Sequence, residues 1–111
     1  MIKPGWDQSK KRFTAWWNGE AEDRVLLQVF APKEDVKDAP PPPPEAATLE
    51  EFWLSIDRRI AQFEHQMAHT HYGGDAFPYL DTHIGPGTMS LYLGSVPTLR
   101  PDTVWYGKCI D

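Results

Sequence analysis

Two aspartates, a histidine and the glycines around them are where this sequence could do chemistry. Asp75 and Asp81 bracket the run Asp75-Ala76-Phe77-Pro78-Tyr79-Leu80-Asp81, with Gly73-Gly74 before it and His83 just after. A carboxylate held between Phe77, Tyr79 and apolar neighbours would have its charged form disfavoured by desolvation, which is how a general acid or a clamp for a substrate amine is made. In an extended segment alternate side chains share a side, so Asp81 and His83 would face one cavity. Asp81 and His83 are therefore the candidate catalytic residues, and Asp75, Phe77 and Tyr79 the candidate substrate-binding residues. The competing reading of each aspartate is a turn cap, since Asp beside Gly commonly bonds backbone amides.

The remaining histidines raise the question of a metal. His65 and His69 are four apart and share a helix face, and His71, His83 and Cys109 could add ligands. The run Glu64-His65-Gln66-Met67-Ala68-His69 places its acid before the first His, whereas a metalloprotease needs Glu directly after it as base. A histidine pair on the polar edge of a helix reads as solvated, so no metal is assigned to this chain. The glycines at 73, 74, 85 and 87 match neither the dinucleotide fingerprint nor the Walker spacing. No Ser-His-Asp or Cys-His arrangement can be placed, so residue chemistry alone does not give the reaction.

These groups need elements to hold them. Asp7 or Ser9 could cap a helix within residues 1–20, with Phe13, Trp16 and Trp17 on one inward face and Asn18-Gly19 as its stop. The nearly continuous apolar run Val25-Leu26-Leu27-Gln28-Val29-Phe30, ended by Ala31-Pro32, suits a strand over 24–31 covered on both faces, as in a parallel sheet. Residues 32–47, with prolines from Pro40 to Pro44, read as a stiff polyproline II connector; a ligand for a proline-binding module is the sharper alternative.

Thr48-Leu49-Glu50-Glu51 is a capping box, with the Thr48 hydroxyl set for the Glu51 amide and the Glu51 carboxylate for the Thr48 amide. Leu49, Phe52, Trp53, Ile56, Ile60, Phe63 and Met67 continue one apolar stripe, predicting a long amphipathic helix over about 48–70 that ends before Gly73-Gly74. Residues 73–111 form the pocket-wall segment. Within it Ala76 to Leu80 is a short strand or an extended stretch, and Pro86 fits the first turn of a helix stopped by Gly94. Ser95 to Asp102 reads as a loop and Thr103 to Tyr106 as a strand.

The whole is an α/β chain of 111 residues with net charge −5. Its basic residues are scattered, which argues against nucleic acid. No apolar run approaches the ~20 residues of a membrane span, and no signal-peptide core is present. With a single Cys109 these features favour the cytoplasm.

Several stretches resemble one family. Arg12-Phe13-x-x-Trp16-Trp17-Asn18-Gly19-Glu20, Asp23-Arg24-Val25-Leu26, Tyr72-Gly73-Gly74-Asp75-Ala76-Phe77-Pro78, Gly85-Pro86-Gly87, Tyr92-Leu93-Gly94 and Thr103-Val104-Trp105-Tyr106 look like the N-terminal third of uroporphyrinogen-decarboxylase-like proteins. That superfamily includes corrinoid-dependent methyltransferases. The resemblance implies the N-terminal portion of a (β/α)₈ barrel with a helical N-terminal segment, its active site at the C-terminal ends of the strands. It places Asp81 near the essential Asp of the decarboxylases, within Tyr79-Leu80-Asp81-Thr82 rather than their Phe-Ser-Asp. Where the decarboxylases carry an Arg-rich segment that grips porphyrinogen carboxylates, this chain has Ala31-Pro32-Lys33-Glu34-Asp35.

The resemblance thus implies a relative acting on another small-molecule substrate, a decarboxylase-like lyase or a corrinoid-linked methyltransferase, inactive as this segment alone. It implies no cofactor within this chain; corrinoid, or zinc on a His-x-Cys pattern, would belong to the longer protein. Its partner would be the rest of the barrel or a homo-oligomer. Such a segment should expose strand edges and Trp or Phe surface. The alternative is a self-contained small α/β binding module, which requires a closed sheet and mostly buried Trp16, Trp17, Trp53 and Trp105.

Overall fold

A computed structural model describes residues 3–34 and 36–109. Residues 1 and 2 of the N-terminal segment, Asp35 of the connector and residues 110 and 111 lie outside the described residues. The element order is α1 (Trp6–Trp17), β1 (Gln28–Pro32), α2 (Leu49–Leu54), α3 (Ile56–Ala68), β2 (Thr70–Gly74), α4 (Thr88–Tyr92), β3 (Pro97–Leu99) and β4 (Val104–Tyr106). The chain forms two compact units, one of residues 1–40 and 64–79, the other of residues 41–63 and 80–111.

In the first unit α1 starts earlier than the sequence suggests. Gly5, at φ 74°, is its N-cap, without a side-chain cap. Asp7 instead lies in the first turn, where the helix dipole favours an anion, and pairs with Lys10 at 2.8 Å. The stop falls where Asn18-Gly19 places it. The Gly19 amide bonds Trp16 O at 3.0 Å and the Glu20 amide bonds Ala15 O at 2.8 Å, the paired bonds of a Schellman ending with Gly19 at φ 74°. The inward packing foreseen for the tryptophans is not found: Trp16 is 57% exposed and Trp17 81%, while Ser9 and Ala15 are the buried residues of α1.

β1 is not a covered parallel strand. It pairs antiparallel with β2, Phe30 opposite Tyr72 with ring centroids 5.8 Å apart, and Val29 and Phe30 are exposed. The apolar run that suggested two covered faces is bare on this ribbon. β2 itself, Thr70 to Gly74, replaces the end of the foreseen long helix.

That helix is two helices. The Thr48 hydroxyl accepts from the Glu51 amide at 3.1 Å, as the capping box requires, but the Glu51 carboxylate takes the Ala47 amide at 2.7 Å rather than that of Thr48. Ser55, at φ −70° and ψ 112°, then breaks the rod, and its hydroxyl accepts from the Arg58 amide at 3.2 Å to begin α3. A side chain that satisfies an amide locally competes with the continuing helix.

The second unit holds α2, the first part of α3, α4 and a β3–β4 hairpin. The hairpin replaces the foreseen loop: Pro97 to Leu99 pairs antiparallel with Val104 to Tyr106, and Arg100 N bonds Thr103 O at 2.9 Å across the turn. Pro97 opens its strand, a position where a missing amide is tolerated. The Trp53 indole donates to Arg100 O at 2.7 Å and ties α2 to the hairpin. α4 begins after Gly87, so Pro86 precedes the helix rather than filling its first turn.

Gly85 and Gly87 meet Val104 and Tyr106, two alternate residues of β4. A methyl at Gly85, itself at φ 71°, would lie 2.8 Å from Val104 Cβ, and one at Gly87 would collide with the Tyr106 ring. Trp105, on the opposite face of the strand, is 68% exposed. Among the described residues the buried hydrophobic ones are Ala15, Ala76 and Val104. Of the four tryptophans a self-contained module would bury, Trp53 is half-buried and Trp16, Trp17 and Trp105 are exposed, and the described strands form two separate two-stranded antiparallel ribbons. No helix of the described residues is long and apolar enough to cross a membrane.

Candidate functional site

Asp75 is fully buried, and its carboxylate is saturated. Oδ1 accepts from Ser9 Oγ at 3.0 Å and Arg12 Nη1 at 2.9 Å; Oδ2 accepts from Arg24 Nη1 at 2.8 Å and the Leu27 amide at 3.2 Å. These bonds fill the roughly four lone-pair sites of a carboxylate. Arg12 also grips Asp23 through Nε and Nη2, at 2.6 and 2.7 Å. One acidic side chain therefore joins α1, the lead into β1 and the end of β2.

Burial pushes the Asp75 carboxyl up, but donation by Arg12, the Leu27 amide, Ser9 and Arg24 outweighs it and holds the group well below the usual carboxylate range. This reverses the direction foreseen from desolvation by Phe77 and Tyr79. Asp23 is held to about 2, chiefly by Arg12, against a smaller upward push from burial. The Arg12 guanidinium is in turn held charged by Asp23 first and then Asp75.

Gly74 makes this geometry possible. At φ 59° it occupies the left-handed region, and a side chain there would run into the Leu27 carbonyl. The same carbonyl accepts the Asp75 amide at 2.7 Å. Lys3 donates to Gly74 O and, at 2.9 Å, to Ala76 O. Phe77, foreseen as a substrate contact, packs on Trp6 and Phe13 of α1 with centroids 4.9 and 5.5 Å away, and Tyr79 stands 5.9 Å from it, 59% exposed. The Asp75 carboxylate is thus saturated and Phe77 sits tilted and edge-on against two rings of α1, while Tyr79 presents an open ring.

Asp81 and His83 belong to the second unit, and they do meet. Asp81 Oδ1 accepts from the His83 amide at 3.0 Å and lies 2.6 Å from His83 Nδ1. Both side chains are more than half exposed. The His83 amide first, then its ring, holds the Asp81 carboxyl below its ordinary value, so burial does not make it a general acid. A carboxylate only accepts, so Nδ1 carries the proton and a neutral His83 presents its Nε2 lone pair away from Asp81. That is the arrangement of an oriented base.

Arg59, which sequence reasoning passed over, fixes this loop. Its guanidinium donates to Asp81 O at 3.4 Å and His83 O at 2.5 Å. A half-open cavity of about 300 Å³ lies beside it, walled by Trp53, Leu54, Ile56, Leu80 and Ile84 with Arg59, Asp81 and Thr82 as polar members. Small-molecule pockets begin near this size and share this apolar-with-few-polar character. Asp81 lines the cavity; His83 is not among its walls.

The His65 and His69 rings lie side by side with centroids 4.2 Å apart and planes tilted by 41°. Among the described residues no group of three or more His, Cys, Asp or Glu could hold a metal, so the donors here do not fit a zinc with three or four protein ligands.

No family model matches this chain, and no curated protein or solved structure matches it.

Proposed function

We propose that this chain is the N-terminal portion of a uroporphyrinogen-decarboxylase-like enzyme, contributing one wall of a barrel active site and inactive by itself. The observation that carries the reading is the bare aromatic surface. Trp16, Trp17, Tyr92 and Trp105 are each more than half exposed, while the buried hydrophobic side chains among the described residues are two alanines and a valine. Exposed apolar area of this kind is energetically costly, at roughly 25 cal/mol per Å², unless another surface covers it. The rest of a barrel, or a partner subunit, is that cover.

A substrate lies against the apolar wall of Trp53, Ile56 and Leu80 with Asp81 at its side, and Asp81 orients the adjoining His83 ring, which is not itself a wall of that cavity. Without the Arg-rich carboxylate clamp, porphyrinogen is not that substrate, and methyl transfer to or from a corrinoid is the reaction we favour. The corrinoid would supply the methyl-carrying metal, and its ligands and those of any zinc belong to the longer protein.

Size-exclusion chromatography with apolar-dye titration of the purified chain tests the incomplete wall: self-association or strong dye binding is expected, and a compact monomer that binds no dye overturns it. The genomic frame past Asp111 tests the family. An in-frame continuation of ~200 residues or more carrying His-x-Cys is expected for a methyltransferase barrel, and a stop codon removes the barrel.

A further inference from the structure

His65 and His69 are held in a way that a solvated pair does not require. His65 Nδ1 lies 2.7 Å from Pro40 O, and His69 Nδ1 lies 2.8 Å from His65 O. A carbonyl oxygen only accepts, so each Nδ1 carries a proton and donates it. In the neutral imidazole the lone pair is then on Nε2 in both rings. A backbone carbonyl on one ring nitrogen is the device that fixes tautomer and ring orientation in metal-ligating histidines.

The ring spacing fits the same use. An ion about 2.1 Å from each Nε2 and subtending a right angle would hold the two ring centroids about 4.6 Å apart; they stand at 4.2 Å. The four-residue interval puts both rings on one face at the end of α3, and both are only partly covered. The sequence showed the interval but not the two carbonyls: Pro40 is distant in the chain from His65 and opens the proline run.

We infer that His65 and His69 form a two-nitrogen site for an imidazole-preferring divalent transition ion, with the other coordination positions open to solvent or an exogenous ligand. Imidazole pairs with right-angle geometry favour Cu(II), then Ni(II) and Zn(II), while Mg²⁺ and Ca²⁺ prefer oxygen donors. Pro40 acts as the positioning group, since its carbonyl sets the His65 tautomer. The site lies apart in sequence from Asp81 and His83 and does not depend on the reaction proposed for them.

Calorimetric titration of the whole chain with CuCl₂ in a non-coordinating buffer tests this, read together with the electron paramagnetic resonance spectrum of the bound ion. One tightest equivalent with hyperfine structure from two imidazole nitrogens is expected, with affinity at least tenfold lower in His65→Ala and in His69→Ala and unchanged in His71→Ala. The spectrum of the unaltered chain gives the answer even where a variant misfolds. A spectrum without two imidazole nitrogens, undiminished affinity in the His65→Ala/His69→Ala double variant, or loss of the equivalent in His71→Ala overturns the assignment.

Discussion

Arg12 Nη1 donates to Asp75 Oδ1 at 2.9 Å across 63 residues of sequence, and the carboxylate it meets has no exposed surface. A buried carboxylate with two arginines is costly to desolvate and is tolerated because every lone pair is used. Removing the charge leaves Arg12 and Arg24 facing a neutral amide. Asp75→Asn should therefore lower unfolding free energy by about 3–5 kcal/mol, the range for breaking a buried pair from one side. Urea denaturation followed by tryptophan fluorescence measures it; a change below ~1 kcal/mol would show the cluster to be replaceable.

The same cluster sets an acid limit. Both Asp75 and Asp23 have folded values below the ordinary 3.8. A lowered folded value means that the unfolded chain binds the proton more readily, so the stabilisation is fully present above about pH 4 and is lost as pH falls through the folded values. The Asp23 share should vanish between about 4 and about 2, and that of Asp75 further down. Thermal midpoints measured from pH 6 downward should fall below pH 4 in the unaltered chain, and less steeply in Arg12→Met. Equal slopes would remove Arg12 as the cause.

Gly74 and Gly19 share a left-handed backbone but not their surroundings. A side chain at Gly74 meets the Leu27 carbonyl, whereas at Gly19 nothing lies within 4 Å. Gly19→Ala should lose only the left-handed penalty, about 1–2 kcal/mol. Gly74→Ala should lose that and more, because the obstructing atom is backbone. Paired urea titrations compare them, and equal losses would mean that the Leu27 carbonyl yields freely.

Local signals in the sequence were legible; partners far apart in the chain were not. Thr48 and Glu51, three residues apart, announced a helix start, and Asn18-Gly19 announced a stop. Ser55 with Asp57 two residues later carried a second start signal, masked by an apolar stripe that runs straight across the break. The pairing of Phe30 with Tyr72 joins strands separated by some 40 residues, and neither strand's composition specifies an antiparallel partner. Asp75 was readable as a special residue, but its role depended on Arg12 and Arg24, whose charges look like any others along the chain. For Asp81 and His83 the two-residue interval was enough, because their contact is local.

That contact can be dissected by titration. The His83 amide is the larger influence holding the Asp81 carboxyl down, and the ring is the next. His83→Ala removes the ring and keeps the amide, so the Asp81 titration midpoint should rise only part of the way to its ordinary value. Side-chain carboxyl carbon shifts followed against pH read this directly. A midpoint unmoved by the substitution would mean that the 2.6 Å contact with Nδ1 is not made in solution, and the oriented-base role of His83 would fail with it.

Trp17 separates folding from docking. It sits beside Trp16 with centroids 5.6 Å apart and is 81% exposed, so little of its ring is buried within the chain. An exposed side chain away from caps and ion pairs contributes within about 0.5 kcal/mol of nothing to stability. If Trp17 serves as a docking surface for another part or subunit, Trp17→Ser should leave the urea midpoint nearly unchanged while cutting apolar-dye binding and any self-association. A large fall in stability would instead place the indole in the core, and dye binding that persists undiminished would move the docking surface away from α1, toward the exposed face of Trp105.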